Sequence, residues 1–124
     1  WAFPAEPDQP ATPTLISRAG QQGLTGDLEG VTLLRRPGKA TCLIVSDQGR
    51  SRFVIIRLES PYPVIGEFSI ESVRSTDGID FTPVPLGPAF PDGLFLCHSD
   101  RPPCPILVTS WREIAGQLQL EDPR

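Results

Sequence analysis

The chain has 124 residues with 15 acidic and 11 basic side chains, a formal net charge of -4. That is long enough for one modest domain with a real core, and the acidic balance argues against a nucleic-acid binder, which would show a basic stripe. No apolar run reaches the length of a transmembrane helix, and fifteen prolines and eleven glycines beside ordinary apolar content describe a turn-rich folded protein rather than a disordered one.

A start at Trp1, with no methionine and no visible signal peptide, predicts a processed or trimmed chain. Residues 1–13 are proline-rich after an aromatic opening and read as the end of a strand followed by a loop. The fold is therefore expected to be entered part-way. Short β-branched or aromatic runs bounded by Gly, Pro, Asp or Ser then predict strands at Thr14–Arg18, Val31–Arg35, Thr41–Ser46, Phe53–Leu58 and Val64–Ile70. Three more follow at Gly78–Thr82, Gly93–His98 and Pro105–Thr109. Pro37-Gly38 and Asp47-Gln48-Gly49 read as hairpin tips, and Pro61-Tyr62-Pro63 breaks the chain before the next strand. Phe53-Val54-Ile55-Ile56 is apolar on both faces and predicts an inner strand, whereas Glu67–Glu71 alternates and predicts a half-exposed one. Ser110-Trp111-Arg112-Glu113 has the form of a capping box opening one short helix, with Ile114, Ala115 and Leu118 as its apolar face.

Hairpins at this spacing make the chain all-β and fit a sandwich, a barrel or propeller blades. A propeller blade takes about 40–50 residues, so residues 1–124 would form a single partial domain of two blades and part of a third.

Cys42 reads as a small buried hydrophobe in a strand. Cys97 and Cys104 flank a loop short enough for a disulfide, which would imply an oxidising compartment. Three unpaired core thiols is the other reading.

Two segments carry the candidate chemistry. Asp27-Leu28-Glu29-Gly30 and Ser75-Thr76-Asp77-Gly78-Ile79-Asp80 each set carboxylates beside a glycine at a strand edge. That pattern suits calcium, a hard cation that takes several oxygen ligands from flexible loops. Asp27 and Glu29 lie two apart, so in a strand both side chains point one way and repel unless a cation sits between them. A solvated turn accounts for the same residues. Asp77-Gly78 is also a common turn dipeptide, and Gln48 suits either a neutral oxygen ligand or a hairpin tip. His98, the sole histidine, reads as structural or surface, and the cluster Arg35, Arg36, Lys39 as solvated. No P-loop, dinucleotide fingerprint, paired CxxC or zinc spacing is present.

The residues themselves are more specific. Trp1-Ala2-Phe3-Pro4-Ala5-Glu6-Pro7-Asp8, Leu24–Gly30, Asp47-Gln48-Gly49, Ser75–Asp80, Leu86–Phe95 and Trp111–Ala115 resemble β-propeller phytases, in family order and nearly family spacing, over essentially the whole chain. The resemblance implies the C-terminal part of a six-bladed propeller from a secreted enzyme, extracellular or periplasmic, that hydrolyses phytate or calcium–phytate with calcium. By the same resemblance Asp27 and Glu29 ligate active-site calcium and position the attacking water, Asp77 lies at the same mouth, and Gln48 sits at a calcium site that stabilises the fold. Calcium would invert the local charge, neutralise phosphate oxygens and activate water for in-line attack.

The basic residues and general acid of the family's active site would lie upstream of Trp1. Remaining blades from another chain, or self-association, would have to supply the rest. The alternative is a non-catalytic calcium-binding propeller fragment. Two departures, Ser75 in place of an acidic residue and Pro105 after a shortened loop, predict weaker or missing calcium sites nearby.

Overall fold

The computed structural model describes residues 1–103 and 105–118. Seven strands and one helix follow one another in order: β1 (Leu28–Leu34), β2 (Cys42–Asp47), β3 (Arg52–Arg57), β4 (Val64–Phe68), β5 (Ile79–Thr82), β6 (Leu94–His98), β7 (Ile106–Ser110) and α1 (Trp111–Gln117). A single 3₁₀ turn, Gln48–Arg50, joins β2 to β3. The strands form two antiparallel meanders, β1-β2-β3-β4 and β5-β6-β7. This is the architecture of a partial β-propeller, one four-stranded and one three-stranded blade.

Sheet-on-sheet packing dictates which strands are apolar on both faces. Ile44, Phe53 and Ile55 point from the first sheet into a core that also takes Phe81, Phe95 and Cys97 from the second, and Trp111 and Ile114 from α1. Within the first sheet Phe53 lies 5.0 Å from Phe68; across the sheets it meets Phe95 edge-on at 4.9 Å, and Phe81 meets Trp111 of α1 at 4.8 Å. Val45, Val54 and Ile56 point the other way, into a second cluster that Leu24 completes and Ile16 and Tyr62 help to cover. The inner strand expected at 53–56 is thus buried on both faces.

Three expectations need correction. Thr14–Arg18 is not a strand: only Thr14 bridges, to Ala2, with backbone bonds of 2.8 Å each way. Its β-branched run lays Ile16 across the face of the first sheet instead of extending an edge. The half-exposed strand predicted to reach Ile70 stops at Phe68, where the chain turns to insert Val73 into the core. The capping box does not form. Ser110 is the N-cap residue, but its hydroxyl makes no capping bond. Ser110 also pairs with Leu94 as the last residue of β7, and the first helical amide, Trp111 N, donates to Gly93 O instead at 3.1 Å.

The two sheets also meet along their β1 and β5 edges. A Cβ at Gly30 would lie 2.4 Å from the Asp77 carbonyl and 3.1 Å from Ile79 N, so only glycine permits this approach. Gly30→Ala is expected to cost about 1–3 kcal/mol, the range for forced overpacking, read as a shift of the urea midpoint with unchanged slope.

Among the described residues Cys42 and Cys97 are both buried and are not bridged to each other. The expected Cys97–Cys104 bridge lies outside the described residues, because Cys104 is not among them. Burial pushes the Cys97 thiol up to about 11, and burial also raises Cys42 against the opposing pull of Arg36 and Arg57. Since the thiolate is the nucleophile, both side chains should resist iodoacetamide at pH 8 in the native protein. Both should be alkylated once denatured and reduced, by peptide mass mapping.

A candidate metal centre at the loop edge of the two sheets

The site is built outward from a carboxylate that never reaches solvent. Asp47, the last residue of β2, is fully buried. Thr25 donates to it from its amide, at 3.3 Å to Oδ1 and 3.4 Å to Oδ2, and from its hydroxyl. Arg52 Nε donates to Oδ2 at 3.1 Å. The same guanidinium donates to Glu67 and to the Gly23 carbonyl. A buried charge is tolerated only when paired and hydrogen-bonded in this way, and here the partners all come from the loop before β1 or from β3 and β4. Asp47 therefore pins that loop to the end of the sheet.

Asp27 follows directly on the pinned loop. Its amide donates to Thr25 Oγ1 at 3.5 Å, and its carbonyl accepts the Gln48 amide at 2.9 Å. Glycine is required at position 49, because a Cβ there would lie 2.8 Å from Thr25 Oγ1. Glu29 is exposed and falls in a β-bulge: Leu28 pairs with Asp47 but Val31 with Val45, so β1 carries one extra residue between them.

The second sheet contributes the other half. Ser46 Oγ donates to the Thr76 carbonyl at 2.7 Å, fastening the loop before β5 to the end of β2. Gln48 Nε2 then reaches Asp77 Oδ1 at 2.6 Å, and Thr32 Oγ1 reaches Asp80 Oδ1 at 2.9 Å. Two of the four residues singled out from sequence, Gln48 and Asp77, are in direct contact. Asp27 joins Gln48 through the backbone. Among the described residues, the Asp27 and Glu29 carboxylates do not converge with that of Asp77 into a group of three.

The convergence involves two other side chains. Asp77, His98 and Asp100 each offer one ligand atom, all within 4.8 Å of one another. His98 closes β6, its amide donating to the Gly78 carbonyl at 2.8 Å. Its Nδ1 lies 3.5 Å from Asp77 Oδ2, and its Nε2 lies 3.6 Å from Asp100 Oδ1. The loop behind is fixed by Ser99, whose buried hydroxyl accepts the amides of Arg74 (3.1 Å) and Arg101 (3.2 Å). Asp100 N donates to the Arg74 carbonyl at 3.1 Å. Reading His98 as structural or surface missed this. The available signal was register: inward Phe95 and Cys97 bring His98 level with Gly78.

Tested against calcium, the two corners differ. Asp27, Glu29 and Gln48 offer carboxylate and amide oxygens, which fit a hard cation. The Asp77 corner sets an imidazole between two carboxylates, and His98 Nδ1 is buried without a hydrogen-bond partner among the described residues. A nitrogen donor there is not what calcium calls for.

Comparison with known proteins gives two findings. The Phytase family pattern matches residues 1–102. The chain is 28% identical over 131 residues to the 3-phytase of Bacillus subtilis (strain 168), an alignment covering 95% of this chain and 34% of that protein. The chain thus spans about a third of the length of the curated relative it matches.

Asp47→Ala would leave Arg52 facing an empty pocket, and losing one partner of a buried pair costs about 3–5 kcal/mol. Chemical denaturation should show that loss, and limited proteolysis should show earlier cleavage near Thr25.

Proposed function

The chain belongs to the phytase family, and on that premise we propose that it supplies part of a propeller that hydrolyses the phosphomonoesters of phytate, free or as calcium–phytate, with calcium, releasing inorganic phosphate. The curated relative is named a 3-phytase, which supports the substrate class. The observation that carries the reading is the alignment of Asp27, Gln48 and Asp77 along one edge of both sheets, through the 2.9 Å backbone bond and the 2.6 Å side-chain bond.

In this reading Asp27 and Glu29 are the calcium ligands. The Asp47–Thr25 anchor holds Asp27 in place before any ion arrives, so little ordering cost falls on binding. The bulge at Glu29 re-aims that carboxylate relative to a regular strand, a common use of bulges beside active sites. Gln48 and Asp77 tie the neighbouring blade to the same edge. Calcium, when bound, supplies positive charge against phosphate oxygens and lowers the pKa of water. Without it, carboxylates on a protein of net charge -4 would repel a polyanionic substrate.

The activity requires the rest of the propeller. Ile106 and Val108 of β7, 62% and 51% exposed, together with Val31 of β1 at 60%, form apolar surface suited to the faces of further blades. Remaining propeller blades, whether from another chain or by self-association, are the partners this reading implies, in a secreted setting. No helix among the described residues is long and apolar enough to cross a membrane. A calcium-binding propeller fragment without turnover is the second reading, and it predicts calcium binding with no phosphate release in any assembly.

Calcium titration by calorimetry, on the wild type and on Asp27→Asn/Glu29→Gln, tests the ligands. The double variant should bind at least about tenfold more weakly, equivalent to roughly 1.4 kcal/mol. Phosphate release from calcium–phytate, followed in the complete assembly, should fall with it. Equal affinity in both proteins would overturn the assignment of Asp27 and Glu29. Tight binding with no turnover in any assembly would favour the non-catalytic reading.

A further inference from the structure

We propose that a cleft between the β1–β2 turn, the loop joining β5 to β6, and α1 binds a small aromatic carboxylate. The cleft lies at the opposite end of the strands from Asp27, Gln48 and Asp77. Its walls follow β1, β5 and β7 or precede β6, whereas those three residues precede β1 and β5 or follow β2. Either site can therefore fail without the other.

Shape points to the ring. The cleft has a volume of about 340 Å³, at the lower end of the roughly 300–1,000 Å³ of ligand pockets. Pro37, Pro83, Pro85 and Pro91 line it together with Trp111, which is 2% exposed. Proline rings and an indole have few torsions to order, so an aromatic ring can bury apolar area against them at little entropic cost.

The walls are held by contacts that need no ligand. Gly93 has a φ of 87°, and a Cβ there would strike the Thr82 carbonyl and lie 2.8 Å from Pro83 Cα. Only glycine lets the two ends of the β5–β6 loop cross so closely. Within that loop Leu86 N donates to Phe90 O at 3.0 Å. Arg112 of α1 then clamps Asp92 with bonds of 2.8 Å and 3.2 Å.

Charge points to the carboxylate. Asp92, the carboxylate in the lining, is already neutralised by Arg112. Arg36 is different: its Nε is buried and has no hydrogen-bond partner among the described residues. Read from sequence as part of a solvated cluster with Arg35 and Lys39, Arg36 is instead half-buried and lines the cleft. Buried donors are nearly always satisfied, because an unmade bond there is costly. A guanidinium edge offers two parallel N–H groups that match the two oxygens of a carboxylate. One uncompensated charge beside Asp92 suits that monoanion better than a phosphate dianion. The competing arrangement is a water molecule on Arg36 Nε in an otherwise unused cleft.

Benzoate is the probe. It is titrated by calorimetry into the wild-type chain and into Arg36→Gln. Trp111 fluorescence is followed in parallel in a Trp1→Phe background, where Trp111 is the sole tryptophan. Expected are one benzoate per chain, saturating below about 10 mM, and a change in Trp111 emission over the same range. Arg36→Gln should bind at least about tenfold more weakly, with an unchanged circular-dichroism spectrum. In the wild type, benzyl alcohol (ring without charge) and acetate (charge without ring) should each bind at least about tenfold more weakly than benzoate. Inorganic phosphate at equal concentration should not displace it. Benzyl alcohol or Arg36→Gln matching the benzoate affinity of the wild type would overturn the role of Arg36, and acetate matching it would overturn the role of the proline walls. Displacement by phosphate would overturn the carboxylate class. Absence of saturable benzoate binding, or binding that leaves Trp111 emission unchanged, would overturn the site and leave the water-filled cleft.

Discussion

The contact on which the rest depends is the face-to-face packing of the two sheets through Phe53, Phe68 and Phe95, whose ring centroids lie 4.9–5.3 Å apart. Phe95 meets both Phe53 and Phe68 edge-on, at 73° and 80°, which supplies both area and a preferred geometry. It therefore fixes the separation of the sheets as well as their association. With that separation set, the β1 and β5 edges come close enough for Gly30 to lie against the Asp77 carbonyl. The residues at the ends of β2, β5 and β6 then fall into one line. Chemistry at the edge is a product of packing at the centre.

Polar contacts convert that alignment into defined positions. Asp47 gathers Thr25 and Arg52, and Ser46 takes the Thr76 carbonyl. Two adjacent residues at the end of one strand thus hold loops from both sheets. Neither Ser46 nor Asp47 reaches solvent. Their neighbours Asp27 and Asp77 are exposed and Gln48 is half-buried. Buried residues set the geometry, and the residues beside them are free to serve an ion.

Much of the fold was legible in the sequence. β2, β3, β6 and β7 begin and end within a residue or so of where β-branched and aromatic runs between turn residues put them, because both faces of such strands are apolar. β1 begins at Leu28, three residues before the predicted start at Val31, because Gly30 and the carboxylates read as a turn while non-local contact with β5 keeps them in the strand. Thr14–Arg18 looked like a strand locally, but covering a face uses the same β-branched residues as extending an edge. Of the residues singled out as ligands, Gln48 and Asp77 touch. The meeting of His98 with Asp77 and Asp100 was not foreseen, since it depends on the pairing of β5 with β6, and a lone histidine in a strand gives no local signal of what lies across the sheet. Asp47 was read only as part of a hairpin tip, and nothing local marks a carboxylate as buried.

The outer faces of the two sheets are unequal. On the first, Val45, Val54 and Ile56 are sealed by Leu24, with Ile16 and Tyr62 packed alongside; on the second, Ile106 and Val108 stand open. The covering of the first face is incomplete, because Val31, the cross-strand partner of Val45 on that face, is 60% exposed at the β1 edge. The chain ahead of β1 thus closes the middle of one face and leaves its margin apolar, whereas the β7 margin of the other sheet has no such cover among the described residues.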